Sequence, residues 1–171
     1  MFRNILNYTA IGFLLFFSTA CYYKTNLVED SLQHQIGASP SVIRGDTILG
    51  DYYDSDDFLN KPIVLNFWFP SCPPCTMELK TIEKIHRAHN NSIEVIGIML
   101  LGLDTEEDGK KFLEKNKITF PTIPDTYGII NTFEVTSFPT TIFLDSNHYI
   151  KDSWVGIIDE NTLEEKIFNL K

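Results

Sequence analysis

Basic residues are scarce in this chain of 171 residues: 14 Lys and Arg stand against 23 Asp and Glu, for a formal net charge of -9 and a pI near 4.8. No cluster of Lys and Arg is present, and a surface that tracks phosphates needs one, so a nucleic-acid partner is excluded. Long apolar runs are missing as well. The longest near the N-terminus, Ile5 to Phe17, is broken by Asn7, Tyr8 and Thr9 and falls short of the roughly 20 residues that cross a bilayer as a helix. No internal repeat or low-complexity tract occurs. Cysteine is scarce, at three, so any single pair leaves one thiol over. What remains, 43% hydrophobic and 22% charged, is the composition of an ordinary globular chain long enough for one domain with a sizeable core.

Two of the three cysteines stand in a telling place. Ile63-Val64-Leu65-Asn66-Phe67-Trp68 has the pattern of a buried strand, and it runs through Phe69-Pro70-Ser71 into Cys72-Pro73-Pro74-Cys75 and then a helix. A sulfur where a helix begins lies beside unpaired backbone N–H groups and the positive end of the helix dipole. That setting stabilises a thiolate and draws a thiol pKa below its usual value of about 8.5. Such a thiolate attacks disulfides. By spacing alone the pair would also serve as half of a zinc site. Pro73 and Pro74 stiffen the loop and remove two N–H groups, which limits the thiolate stabilisation and points to a reductant in place of a strong oxidant.

Arg3, the apolar segment and Ser18-Thr19-Ala20-Cys21 have the form of an export signal. Cys21 after small residues resembles the lipobox of bacterial lipoproteins, in which that cysteine is acylated, although Ser18 stands where leucine is usual. Three outcomes are open: acylation at Cys21, plain cleavage, or an uncleaved anchor. Acylation would account for the left-over thiol in an oxidising compartment. Residues 1–21 are thus expected to form a signal or anchor, 22–37 a polar tether, and 38–171 the domain.

Within that domain, Val42 to Gly50 is expected to form a hairpin turning at Gly45-Asp46, and Asp54 to Leu59 a short helix or turn. Ile93 to Leu101 suits a strand covered on both faces, and Thr105 to Asn116 a helix capped by Asp104 or Thr105. An extended piece through Phe120-Pro121-Thr122, a short helix at Ile129 to Phe133, strands Thr140 to Leu144 and Tyr149 to Val155, and a helix Glu160 to Leu170 follow. This is an α/β order closing on a hairpin.

The order, together with Asn66-Phe67-Trp68, Cys72-Pro73-Pro74-Cys75, Glu78 and Ser137-Phe138-Pro139-Thr140-Thr141, resembles the thioredoxin fold and within it the TlpA/ResA-type thiol-disulfide oxidoreductases. The resemblance covers nearly all of Ala38 to Leu170. It implies a central mixed β-sheet flanked by helices with an N-terminal hairpin extension, and a Cys72–Cys75 redox disulfide with Cys72 as nucleophile and Cys75 as the resolving, more buried thiol. It also implies a cis Pro139 facing the pair, and Phe138 and Trp68 helping to form an apolar docking surface. Partners implied are protein thiols and disulfides, such as apocytochrome c or other envelope proteins, and an upstream membrane thiol carrier. A monomer attached to the membrane outside the cytoplasm, without cofactor or metal, is the expected form. The chain departs from the family where it has Ser71 before the first cysteine instead of Trp, and Phe69-Pro70 after Asn-Phe-Trp.

Helical geometry singles out Glu78. At about 100° per residue it shares a face with Cys75, Leu79, Ile82 and Ile85, opposite Lys80, Glu83, Lys84 and Arg87. A carboxyl there has a raised pKa and can exchange a proton with Cys75, as the family's acid does; the alternative is an edge glutamate whose head reaches water. His86 and His89 are expected at a helix surface, and His148 in a solvated turn with Asp145, Ser146 and Asn147. Two other functions on this fold are weighed. A peroxiredoxin-type peroxidase would have Thr or Ser where Phe69 stands, and a SCO-like copper carrier would space its cysteines by three and use a late histidine such as His148.

Overall fold

The computed structural model describes residues 35–38 and 42–170; the segment carrying Cys21 and His34, and most of the expected tether, lie outside the described residues. At the edge of that segment Ile36 packs against the core and Gly37 N–H donates to the Ile150 carbonyl at 2.8 Å, so the end of the expected tether is docked.

A small antiparallel pair, β1 (Arg44–Asp46) and β2 (Tyr52–Asp54), leads through a 3-10 turn at Ser55–Phe58 into β3 (Ile63–Trp68). Helix α1 (Pro73–His89), β4 (Glu94–Met99), α2 (Glu106–Asn116), β5 (Thr122–Pro124), α3 (Ile129–Thr132), β6 (Thr140–Leu144), β7 (Ile150–Val155) and α4 (Glu160–Phe168) follow. The main sheet has the order β5-β4-β3-β6-β7, with β3, β4 and β5 parallel and β6 and β7 antiparallel to their neighbours. This is the thioredoxin fold with an N-terminal hairpin.

Alternation along the buried strands sorts side chains into two layers. Val64, Trp68, Val95, Met99 and Phe143 meet Leu79, Ile82 and Ile85 of α1, Leu113 of α2 and Leu163 and Ile167 of α4. Ile63, Leu65, Phe67, Ile96, Ile98 and Ile142 meet Ile43, Tyr53 and α3 on the opposite face. Covered on both sides, β3 and β4 read as continuous apolar runs. Thr105 caps α2 through a reciprocal box with Asp108, and Asp159 caps α4.

Three expectations are corrected. Gly45 and Asp46 lie inside β1, paired with Tyr53 and Tyr52, and the chain reverses over residues 47–51. Gly45 is required for packing, not for a turn: a Cβ there would come within 2.8 Å of the Tyr127 ring and 3.1 Å of Ile123. Glu83, assigned to the solvent face of α1, is buried, because its carboxylate accepts from both the N–H and the hydroxyl of Thr119 while pairing with Arg87. His148 sits in the expected turn between β6 and β7, yet is only 2% exposed.

Candidate active site

Strand β3 ends at Trp68 in the middle of the sheet, and the connection 69–72 delivers Cys72 to the N-cap of α1. Pro73 and Pro74 take the first helical positions, where a missing N–H costs nothing and a fixed φ suits the helix. Cys75 N–H donates to Cys72 Sγ at 3.3 Å and Thr76 N–H to the Cys72 carbonyl at 3.1 Å. The two cysteines are joined by a disulfide, with Cα atoms 5.3 Å apart. Cys75 is wholly buried. Cys72 is less open than the sequence led one to expect, at 5% exposure, because Phe69 and Phe138 pack on the same cluster and meet edge to face at 5.4 Å.

Glu78 follows one turn after Cys75, a spacing that brings side chains of a helix to about 5–6 Å at Cβ. It is 1% exposed, which rules out the edge position with a solvated head. Register explains what it meets. Asn66 of β3 is paired with Gly97 on one side and Thr141 of β6 on the other, so alternation turns Asn66 and Thr141 toward α1 in one row. Glu78 Oε1 accepts from Asn66 Nδ2 at 2.6 Å and from Thr141 Oγ1 at 3.4 Å, and Oε2 accepts from the Ile158 N–H at 2.8 Å. Burial pushes its pKa from the ordinary 4.5 to about 7, with the bonds from Ile158, Asn66 and Thr141 pulling it back. A group poised near neutrality one helical turn from Cys75 is suited to carry a proton.

Pro139 is buried and its bond to Phe138 is cis, while Phe138 is half-buried. Trp68, expected at a docking surface, is not there. It is completely buried and lies against Phe112 of α2 at 5.5 Å, since the residue ending a central strand turns under the helices. The late histidine also stays away. His148 follows Leu144, which pairs with Ile63 at the opposite end of β3 from Trp68 and the cysteines, so the side chains of a SCO-like copper site are not brought together. His86 packs on Phe120, and His89 meets Glu164 at 3.1 Å.

Asn66, Thr141 and the Ile158 N–H were not recognised as parts of the site from sequence. One signal was present: a single amide in the otherwise apolar β3.

The arrangement is that of a dithiol/disulfide redox enzyme on a thioredoxin fold. Residues 42–153 match the AhpC/TSA family, and the chain belongs to it. It is 30% identical over 122 residues to the thioredoxin-like protein YneN of Bacillus subtilis, covering 71% of this chain and 72% of that one. Against the thiol-disulfide oxidoreductase ResA of Geobacillus kaustophilus the identity is 24%, over 99% of this chain and 97% of the relative. The crystal structure of StoA from Bacillus subtilis superposes with a TM-score of 0.67 at 26% identity, covering 75% of this chain and 98% of StoA. The chain is a thiol-disulfide oxidoreductase of the ResA/StoA type.

Proposed function

We propose that the chain works outside the cytoplasm, held at a membrane through its N-terminal segment, and reduces disulfides of partner proteins. The observation that carries the reading is the Cys72–Cys75 pair at the start of α1 with the buried Glu78 one turn behind it. In the reduced form the Cys72 thiolate attacks one sulfur of the partner's disulfide: a mixed disulfide forms, the partner's S–S bond breaks, and the departing thiolate takes a proton. Cys75 then loses its proton to the Glu78 carboxylate and attacks Cys72 Sγ, which closes the Cys72–Cys75 bond and releases the partner's second thiolate, protonated in turn. Two electrons pass to the partner together with two protons, one from Cys75 by way of Glu78 and one from solvent. An upstream thiol carrier returns them and resets the pair.

Asn66 supports the proton step. Its Nδ2 donates to the Glu78 carboxylate, and its Oδ1 has no partner; turning the amide over lets Oδ1 accept from the protonated acid at the same place. Half-buried Phe138, packed on the cluster that holds both cysteines, and the cis Pro139 next to it form the seat for the partner's chain.

Membrane attachment rests on the N-terminal apolar segment and Cys21. Among the described residues no helix is long and apolar enough to cross a membrane. Trapping tests the reaction: Cys75→Ala retains a mixed disulfide on Cys72, and mass spectrometry of the trapped species identifies the partner. A Cys75→Ala chain that accumulates no mixed disulfide with envelope proteins refutes the mechanism. The AhpC/TSA match keeps a peroxidase as the second reading. Rapid, Cys72-dependent consumption of peroxide without reduction of a protein disulfide would establish it instead.

A further inference from the structure

Ser71 stands directly before Cys72, where the family resemblance leads one to expect tryptophan. Its N–H and its hydroxyl both donate to one oxygen, Asp104 Oδ2, at 2.9 and 2.7 Å. Asp104 lies 33 residues away in the connection between β4 and α2, immediately before the cap Thr105, and its own carbonyl accepts from Gly102 N–H at 3.3 Å. The Cys72 N–H is committed as well, to the Phe69 carbonyl at 3.2 Å. Two successive N–H groups ahead of the sulfur are therefore spent on protein oxygens, and a carboxylate is fixed one residue from the reacting atom.

The elements that meet near Cys72 carry few acids. Helix α1 contributes Glu78, and the β4–α2 connection contributes Asp104. The 137–139 segment contributes none, and the β7–α4 connection contributes Asp159, which is turned to Thr162 of its own helix. No ion pair among the described residues involves Asp104.

We propose that Asp104 is a positioning residue for Cys72: it pins the residue in front of the sulfur, and its negative charge disfavours the Cys72 thiolate. A dithiol whose thiolate is not stabilised gives up its electrons more readily, so the contact biases the pair toward reduction of its partners. The inference rests on Cys72 being the attacking sulfur.

The test is alkylation of the reduced full chain across pH, with each cysteine followed by mass spectrometry. Asp104→Asn retains an oxygen acceptor and removes the charge. The midpoint of the Cys72 profile is expected to fall by about half a pH unit, which is roughly threefold faster labelling below the midpoint. Ser71→Ala retains the charge and the backbone bond and is expected to leave the midpoint within about 0.2 units. Equilibration with glutathione above the midpoint should leave Asp104→Asn less oxidised than the wild type. An unmoved or raised midpoint in a variant with native near-UV circular dichroism overturns the proposal, and so does an equal fall in Ser71→Ala, which would assign the effect to the hydroxyl. If Cys75 is labelled first in the wild type, the role assignment under Proposed function fails and takes this inference with it. If Cys72 is labelled first and only the Asp104 arm fails, the catalytic reading stands alone.

Discussion

Replacing Glu78 by glutamine takes one ionisable group out of the core while leaving the shape of the side chain intact, and its effect on stability has a definite pH signature. The folded carboxyl titrates near 7 and the unfolded one near 4.5, a difference that at 1.36 kcal/mol per unit amounts to about 3 kcal/mol. The sign follows from proton counts. Between these two values the folded chain holds a proton that the unfolded chain has released, so Glu78 lowers stability progressively as pH rises through the window. Below it the group has no effect, and above it the full cost is present. The glutamine chain lacks this term. Its amide keeps both contacts when Asn66 turns over, because the oxygen accepts from the Ile158 N–H and the amide N–H donates to the otherwise unpartnered Asn66 Oδ1. The variant should therefore lie close to the wild type at pH 5 and exceed it in stability at pH 8. Urea unfolding of both oxidised proteins at pH 5, 6, 7 and 8 measures the difference, which should shift by about 2.5 kcal/mol in the variant's favour across the range. Glu94, which burial also raises to about 7, titrates in both proteins and cancels. Stability curves that run parallel within about 0.5 kcal/mol would refute the buried, raised carboxyl. Disulfide reduction by the variant should slow at the same time, with the pH dependence of Cys75 altered.

Glu83→Ala should cost about 2–3 kcal/mol in unfolding, since it strands the Thr119 N–H and hydroxyl together with Arg87. Burial raises the Glu83 carboxyl, but the bonds from Thr119 and Arg87 outweigh it and hold it below the usual range. Its contribution is therefore present above the unfolded pKa, and the gap between the two proteins should narrow as pH falls through the folded value. Gly97→Ala should destabilise by about 1–3 kcal/mol in thermal or urea unfolding, because a Cβ there meets Thr122 Oγ1 at 2.8 Å and Trp68 Nε1 at 3.1 Å in the centre of the sheet. Expressed in a bacterial host, the chain should fractionate with membranes, and Cys21→Ser should release it or stop its processing. Full-length membrane retention of both forms would indicate an uncleaved anchor instead.

Local chemistry was legible in the sequence wherever one segment carried all the information. The Cys72-Pro73-Pro74-Cys75 run needs only an apolar strand before it and a helical face after it. The same face placed Glu78 inward, and strand β6 appears at the residues expected, Thr140–Leu144. Signals that depend on a distant neighbour misled or were silent. Gly45 reads locally as a turn residue and is in fact a gap for the Tyr127 ring, 82 positions later by number. Glu83 reads as a solvent-facing acid on a helix and is buried because Thr119, from a different connection, supplies two donors. Sequence by itself determined the reacting atoms, their helix-start setting and the layer order, since periodicity and spacing act within one element. Tertiary structure alone decided what surrounds them: pairing register turns Asn66 and Thr141 toward Glu78, the β7–α4 connection adds the Ile158 N–H, and Asp104 reaches Ser71 across the mouth of the sheet. Those partners are 12 to 80 residues apart, and a buried polar group selects them by where its lone pairs point after the chain has packed.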